Sequence, residues 1–339
     1  MNKSELIKSA INHESTKYTP WQMDMTEKFA NKVCEKYGCE NADEYVGNHM
    51  IRAKYKQNSQ LSETLELDIF GVTWEKSPKD GDVGIVVGFP IQEPNLSNYV
   101  FPTIRTDFAK KQAENLLTYK DDRFTMFSIT MGFFERAWSL RGMENILMDM
   151  ITEEKFCEEL FRKIEQHHLE LLDVVLDYDF DALYFGDDWG QQKGLIMGPP
   201  MWRKYIKPSM KRIFEKAKSK GKKIVLHSCG DLRDIMPEVI EIGVDVYNTI
   251  QPEIYDIKQL KNEYGKDLTF YGGISTQQLL PYASEREVYD ETSRVRDILG
   301  ENGGYILSPT HAITPDTPLE NLWAMIKVAK GSQFHEAVF

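Results

Sequence analysis

Apolar residues recur along this chain with two periods. Leu6, Ile7, Ala10 and Ile11 share one face of a helix predicted over 3–12, the spacing of an amphipathic helix. Phe156, Leu160, Ile164, Leu171 and Val175 draw a longer stripe over 153–177. Between such helices lie short apolar runs bounded by Gly, Pro or charged residues, at 124–130, 182–185, 222–226, 244–248, 268–271 and 305–307. Runs of that length are predicted to be buried strands. Further helices are predicted at 26–37, 43–61, 107–119, 134–141, 143–150, 200–220, 232–242, 257–264, 285–299 and 319–330, and a first strand at 21–24. The stretch 66–102, punctuated by Gly and Pro, reads as strands and turns.

At least six strand-then-helix units follow one another, which argues for an α/β fold with a parallel sheet and helices outside it. We expect one (β/α)8 TIM barrel over 1–339. Residues 1–105 form an N-terminal helical and irregular extension with the first barrel units, and 106–330 the regular units. An open doubly wound sheet is the runner-up, weakened because no Gly-x-Gly-x-x-Gly turn follows an early strand.

Composition narrows the classes of function. The 339 residues carry a net charge of −12 and no basic block, which argues against a general nucleic-acid surface. Four cysteines, Cys34, Cys39, Cys157 and Cys229, are too few and too unevenly spread for a disulfide framework; Cys34 and Cys39 are expected as free thiols. The first residues are polar, unlike a signal peptide, and no apolar run reaches the length of a membrane span. A cytoplasmic protein that engages no membrane is the expectation.

Candidate chemistry lies at the C-terminal ends of the predicted strands, where barrels collect their active sites. Those ends read Asp187-Asp188, His227-Ser-Cys229, Gln251-Pro-Glu253, Gly272-Gly273 and Thr310-His311. Residues i and i+2 of a strand point the same way, so His227 and Cys229 converge as half of a zinc site. With Glu253 and His311 they supply two imidazoles, a thiolate and a carboxylate, a set that suits tetrahedral zinc. Asp187 and Asp188, being adjacent, face opposite ways. They are candidates for acid–base work or for orienting a histidine. Trp189 and Phe133 are candidate pocket walls, and Gln251 a candidate substrate contact.

These landmarks resemble the uroporphyrinogen decarboxylase superfamily, and within it the zinc-dependent, corrinoid-linked methyltransferases. The similar segments are Ser9 to Pro20, Phe134-Glu135-Arg136-Ala137-Trp138, Tyr184 to Leu195, His227-Ser228-Cys229-Gly230, Gly272-Gly273-Ile274 and Ser308 to Asn321. The decarboxylase branch, which uses no metal, carries an N-terminal Arg-x-x-x-Arg motif; here the matching Trp21-Gln22-Met23-Asp24-Met25 has no arginine. The methyltransferase branch carries His-x-Cys and a later Cys, where this chain has His311. The resemblance implies the (β/α)8 barrel, Zn2+, and methyl transfer between a small molecule and a corrinoid (cobalamin). No Asp-x-His-x-x-Gly loop is present, so the corrinoid is expected on a partner protein. The His-for-Cys departure leans toward an oxygen substrate, as in an O-demethylase acting on a methyl ether, with a thiol as the other option. A metal-free decarboxylase or lyase and a non-catalytic binding barrel are the alternatives.

Overall fold

The computed structural model describes residues 1–76 and 84–336. In chain order, α1 (Lys3–Ile11), α2 (Glu27–Tyr37) and α3 (Ala42–Tyr45) lead to β1 (Met50–Lys54). Strands β2 (Asn58–Gln60), β3 (Leu65–Asp68), β4 (Thr73–Lys76) and β5 (Gly84–Gly88) follow. After α4 (Thr106–Thr118) come β6 (Phe124–Ile129), α5 (Phe134–Arg141), α6 (Met143–Thr152) and α7 (Glu154–Val175). Next are β7 (Ala182–Gly186), the short strands β8 (Gly190–Gln191) and β9 (Gly194–Leu195), α8 (Gly198–Met201), a π-turn at Trp202–Ile206, and α9 (Lys207–Ser219). The last third holds β10 (Lys223–His227), α10 (Met236–Glu241), β11 (Val246–Ile250), α11 (Ile257–Tyr264), β12 (Thr269–Ile274), α12 (Glu285–Leu299), β13 (Tyr305–Pro309) and α13 (Leu319–Lys330).

The chain divides into two compact units. One comprises residues 1–51, 120–125 and 245–339, and the other 52–119 and 126–244. In the second, β6, β7 and β10 pair in parallel, with His227 opposite Gly186. The residues of β6 and β7 are all buried, which is why they read as unbroken apolar runs. An antiparallel sheet β2–β3–β4–β5 belongs to the same unit. Helix α7 lays its stripe of Phe156, Leu160, Ile164, Leu171 and Val175 inward, all buried.

In the first unit β11, β12 and β13 pair in parallel. The segment expected as a first strand at 21–24 makes two isolated parallel bridges instead, Trp21 to Leu307 and Met25 to Ile313. The Asn48 side chain explains the interruption: its Oδ1 accepts the Met23 N–H at 2.7 Å and its Nδ2 donates to the Met23 carbonyl at 3.1 Å. A side-chain amide thus takes the place of a strand partner. The helix expected over 43–61 is also corrected. It lasts one turn and stops before Gly47, which sits at φ +73°; the chain then extends into β1 and β2. Cys34 and Cys39 are free thiols with sulfurs 2.9 Å apart.

Candidate metal centre

Strands β7 and β10 end side by side, and the loops after them cross at two glycines. A Cβ on Gly190 would stand 2.5 Å from the Gly230 carbonyl carbon, and one on Gly230, at φ +84°, 2.1 Å from that of Gly190. Only two residues without side chains allow backbones this close. The crossing is tied by Gly190 N–H to the Cys229 carbonyl (3.2 Å), Asp231 N–H to the Gln191 carbonyl (2.9 Å) and Asp187 N–H to the His227 carbonyl (2.9 Å). Ser228 Oγ adds a bond from the Trp189 N–H at 2.9 Å.

Three potential metal ligands meet at this crossing. Asp188, His227 and Cys229 offer an oxygen, a nitrogen and a sulfur that all lie within 4.8 Å of one another. His227 Nε2 is 3.8 Å from Cys229 Sγ and 3.7 Å from Asp188 Oδ1. Neighbouring donors on tetrahedral zinc stand about 3.3–3.6 Å apart, from bond lengths of roughly 2.0–2.3 Å. The two distances from His227 come within a few tenths of an ångström of that spacing, and the Asp188 and Cys229 donors lie within 4.8 Å of each other. A carboxylate and a thiolate also balance a divalent charge. Asp188 is held in place by the Cys229 N–H, which donates to its Oδ1 at 2.8 Å. The side chains of His227 and Asp188 are 19% and 37% exposed, so solvent and ligands reach them.

Without a cation the thiol keeps its proton. Burial, then the charges of Asp188 and Glu135, push the Cys229 thiol up. A coordinated divalent ion reverses that preference, because it stabilises the thiolate directly.

Asp187 turns the other way. It is fully buried and accepts the N–H groups of Phe134 (2.9 Å) and Glu135 (2.8 Å) and the Trp189 indole N–H. Helix α5 has no capping side chain at its own N-cap, Phe133; Asp187 fills that place from the end of β7. Burial raises its carboxyl to about 6 against the pull of these donors.

The cap brings Glu135, in the first turn of α5, to the centre. Burial foremost, then the charges of Asp188 and Asp187, hold its carboxyl well above the usual range, while the Asp188 N–H donates to it. In the sequence its segment is legible only as a family landmark. The available signal was an acidic residue two positions after Phe133, at the mouth of a strand.

The other expected site residues are placed as follows. Phe133 and Trp189 are fully buried; Phe133 stacks on Phe161 at 5.6 Å and Trp189 meets Trp202 edge-on at 5.5 Å. Gln251, Glu253 and His311 belong to the other compact unit. Gln251 gives its carbonyl to the N–H groups of Ile254 and Tyr255, both at 3.0 Å. Glu253 accepts from Ser275 Oγ, and His311 is exposed just beyond β13.

Comparison with known proteins gives the family and the fold. The Uroporphyrinogen decarboxylase (URO-D) family pattern matches residues 64–332. A curated relative, the methylated-thiol–coenzyme M methyltransferase of Methanosarcina mazei, is 26% identical over 273 residues, covering 80% of this chain and 71% of the relative. A solved structure described as a methyltransferase from Methanosarcina mazei superposes with a TM-score of 0.74 at 17% identity, over 98% of this chain and 99% of that one, and so shares the fold. The chain belongs to the uroporphyrinogen decarboxylase (URO-D) family, and the two relatives described above are named methyltransferases.

Proposed function

We propose that this protein is a zinc-dependent methyltransferase that moves a methyl group between a small molecule and a corrinoid carried by a partner protein. The observation that carries the reading is the Asp188–His227–Cys229 cluster at adjoining strand ends, in a chain whose curated relative is named a methylated-thiol–coenzyme M methyltransferase. The match over nearly the whole chain supports the (β/α)8 barrel expected from the strand–helix alternation.

Asp188, His227 and Cys229 would hold the zinc. When bound, it supplies Lewis acidity to the oxygen or sulfur of the methyl donor or acceptor. Three protein ligands leave a tetrahedral position for that heteroatom. The protein's own groups set the rest. Asp188 is oriented by the Cys229 amide, and Asp187 fixes the first turn of α5 and with it Glu135. Glu135 holds its proton beside the centre, and is placed to exchange it with a heteroatom that gains or loses a methyl group. Either Glu253 or His311 is proposed to fill that fourth position until the heteroatom displaces it, tested one at a time by zinc content in Glu253→Gln and His311→Ala.

The test is a methyl-transfer assay with a reduced corrinoid protein and a panel of methyl ethers and methyl thioethers, read by the absorbance change on cobalt methylation. Zinc-loaded protein should turn over at least one member, and Cys229→Ser should lose about 100-fold or more. Absence of transfer from every donor with zinc bound, together with release of carbon dioxide from a carboxylated substrate, would favour the decarboxylase alternative.

A further inference from the structure

A cavity of about 290 Å³ lies between the antiparallel sheet, the end of β6 and α7. Its described lining falls within residues 52–244 and includes none of Glu135, Asp188, His227 and Cys229. In a chain of charge −12 that lining is basic: Lys54, Lys56, Lys76 and Arg136 stand against Glu66 and Asp68. Both acids are already neutralised. Glu66 pairs with Lys76 and accepts from Asn58 at 2.8 Å. Asp68 pairs with Arg136 at 2.7 Å, and its other oxygen takes the Phe70 and Val72 N–H groups.

Three of the lining side chains each hold a buried polar atom with no partner: Gln57 Nε2, Arg136 Nε and His168 Nδ1. The chemical state of each is fixed. Arg105 only donates, and its Nη1 bonds Gln57 Oε1 at 2.6 Å, so the unpaired Gln57 atom is the amide NH2. The Gly132 carbonyl only accepts and lies 2.8 Å from His168 Nε2, so that nitrogen carries the hydrogen and Nδ1 is an acceptor. Arg136 Nε is a donor, and its guanidinium lies over the Phe70 ring at 4.0 Å. Buried polar atoms are seldom left unpaired, and a cluster of them beside one cavity marks groups that a ligand can satisfy. Met131, in the same lining, is a non-glycine residue at φ +52°, the kind of backbone strain that gathers at ligand sites.

We propose that this cavity binds a small organic anion with a flat apolar body. The acidic group meets the Gln57 and Arg136 donors, a hydroxyl donates to His168 Nδ1, and the body lies against Trp74 and Phe70. Hydroxy-aromatic carboxylates are the class that supplies all three. The site goes beyond the methyl-transfer reading and needs no metal.

The test is calorimetric titration of the full chain with 4-hydroxybenzoate, on metal-stripped and on zinc-loaded protein. Saturable one-to-one binding is expected in both. The uncharged 4-hydroxybenzamide should bind about tenfold more weakly, because it lacks the charge-assisted bonds. Gln57→Leu should weaken 4-hydroxybenzoate by about tenfold at unchanged melting temperature. Arg136→Lys is the harsher variant, since it also disturbs the Asp68 pair, so Gln57→Leu keeps the proposal decidable. No saturation, equal affinity for acid and amide, or indifference to Gln57→Leu would each overturn it. Because binding is read without zinc, failure here leaves the metal reading standing, and failure to bind zinc leaves this site standing.

Discussion

Asp187 reaches back 52 and 53 residues to accept the N–H groups of Glu135 and Phe134, while its neighbour Asp188 faces His227 and Cys229. An Asn at 187 would set an NH2 against at least one of the three donors. Asp187→Asn should therefore cost roughly 2–4 kcal/mol in thermal or denaturant unfolding, and slow methyl transfer as Glu135 loses its support. His168 gives a pH signature. Burial drives its imidazole from 6.5 down to about 3. The folded state refuses a proton that the unfolded state accepts, so this share of stability is whole above pH 6.5 and is lost as pH falls toward 3. The loss is about 1.4 kcal/mol per pH unit, or roughly 2 kcal/mol between pH 6.5 and 5. Unfolding curves at those two pH values should show His168→Asn with a drop smaller by that amount. At this scale the sequence shows which types of residue stand at strand ends. His227 and Cys229 meet through i, i+2 parity, which is local. The approach of Asp188 depends on the register of His227 against Gly186, and the placing of Glu135 on a long-range cap; neither leaves a local signal.

At the scale of elements, the crossing of the loops after β7 and β10 builds the centre. Gly230→Ala adds a Cβ at 2.1 Å from backbone, in a left-handed conformation. It should cost roughly 3 kcal/mol or more and pull the ligands apart. Gly221→Ala is the control: its φ of +74° is similar but nothing lies within 4 Å, so about 1–2 kcal/mol is expected. Chemical denaturation of both variants checks the contrast. The buried strands and their following helices are legible because total burial writes itself as apolar runs. Residues 43–61 are not, because one left-handed glycine and the buried, hydrogen-bonded Asn48 override a polar, helix-like composition.

For the whole molecule, all three ligands of the triad lie within 126–244. Chelation should raise amide hydrogen exchange around 186–191 and 227–231 and leave β12 and β13 unchanged. Protection lost at 251–253 or around 311 as well would bring Glu253 or His311 into the metal's coordination. Among the described residues no helix is long and apolar enough to cross a membrane. The class of fold was readable from alternation and the family from scattered landmarks, since both are spread along the chain. The division into two compact units was not, since it depends on contacts between residues far apart in sequence.

One divalent ion bound between Asp188, His227 and Cys229 is what the proposed chemistry requires, and elemental analysis of the purified protein measures it. The expected result is close to one zinc per chain, falling to background in His227→Ala and Cys229→Ser and sharply reduced in Asp188→Asn, with the far-ultraviolet circular dichroism of each variant unchanged. A folded wild-type protein that takes up no zinc when it is supplied, or folded variants that hold as much zinc as the wild type, would contradict it.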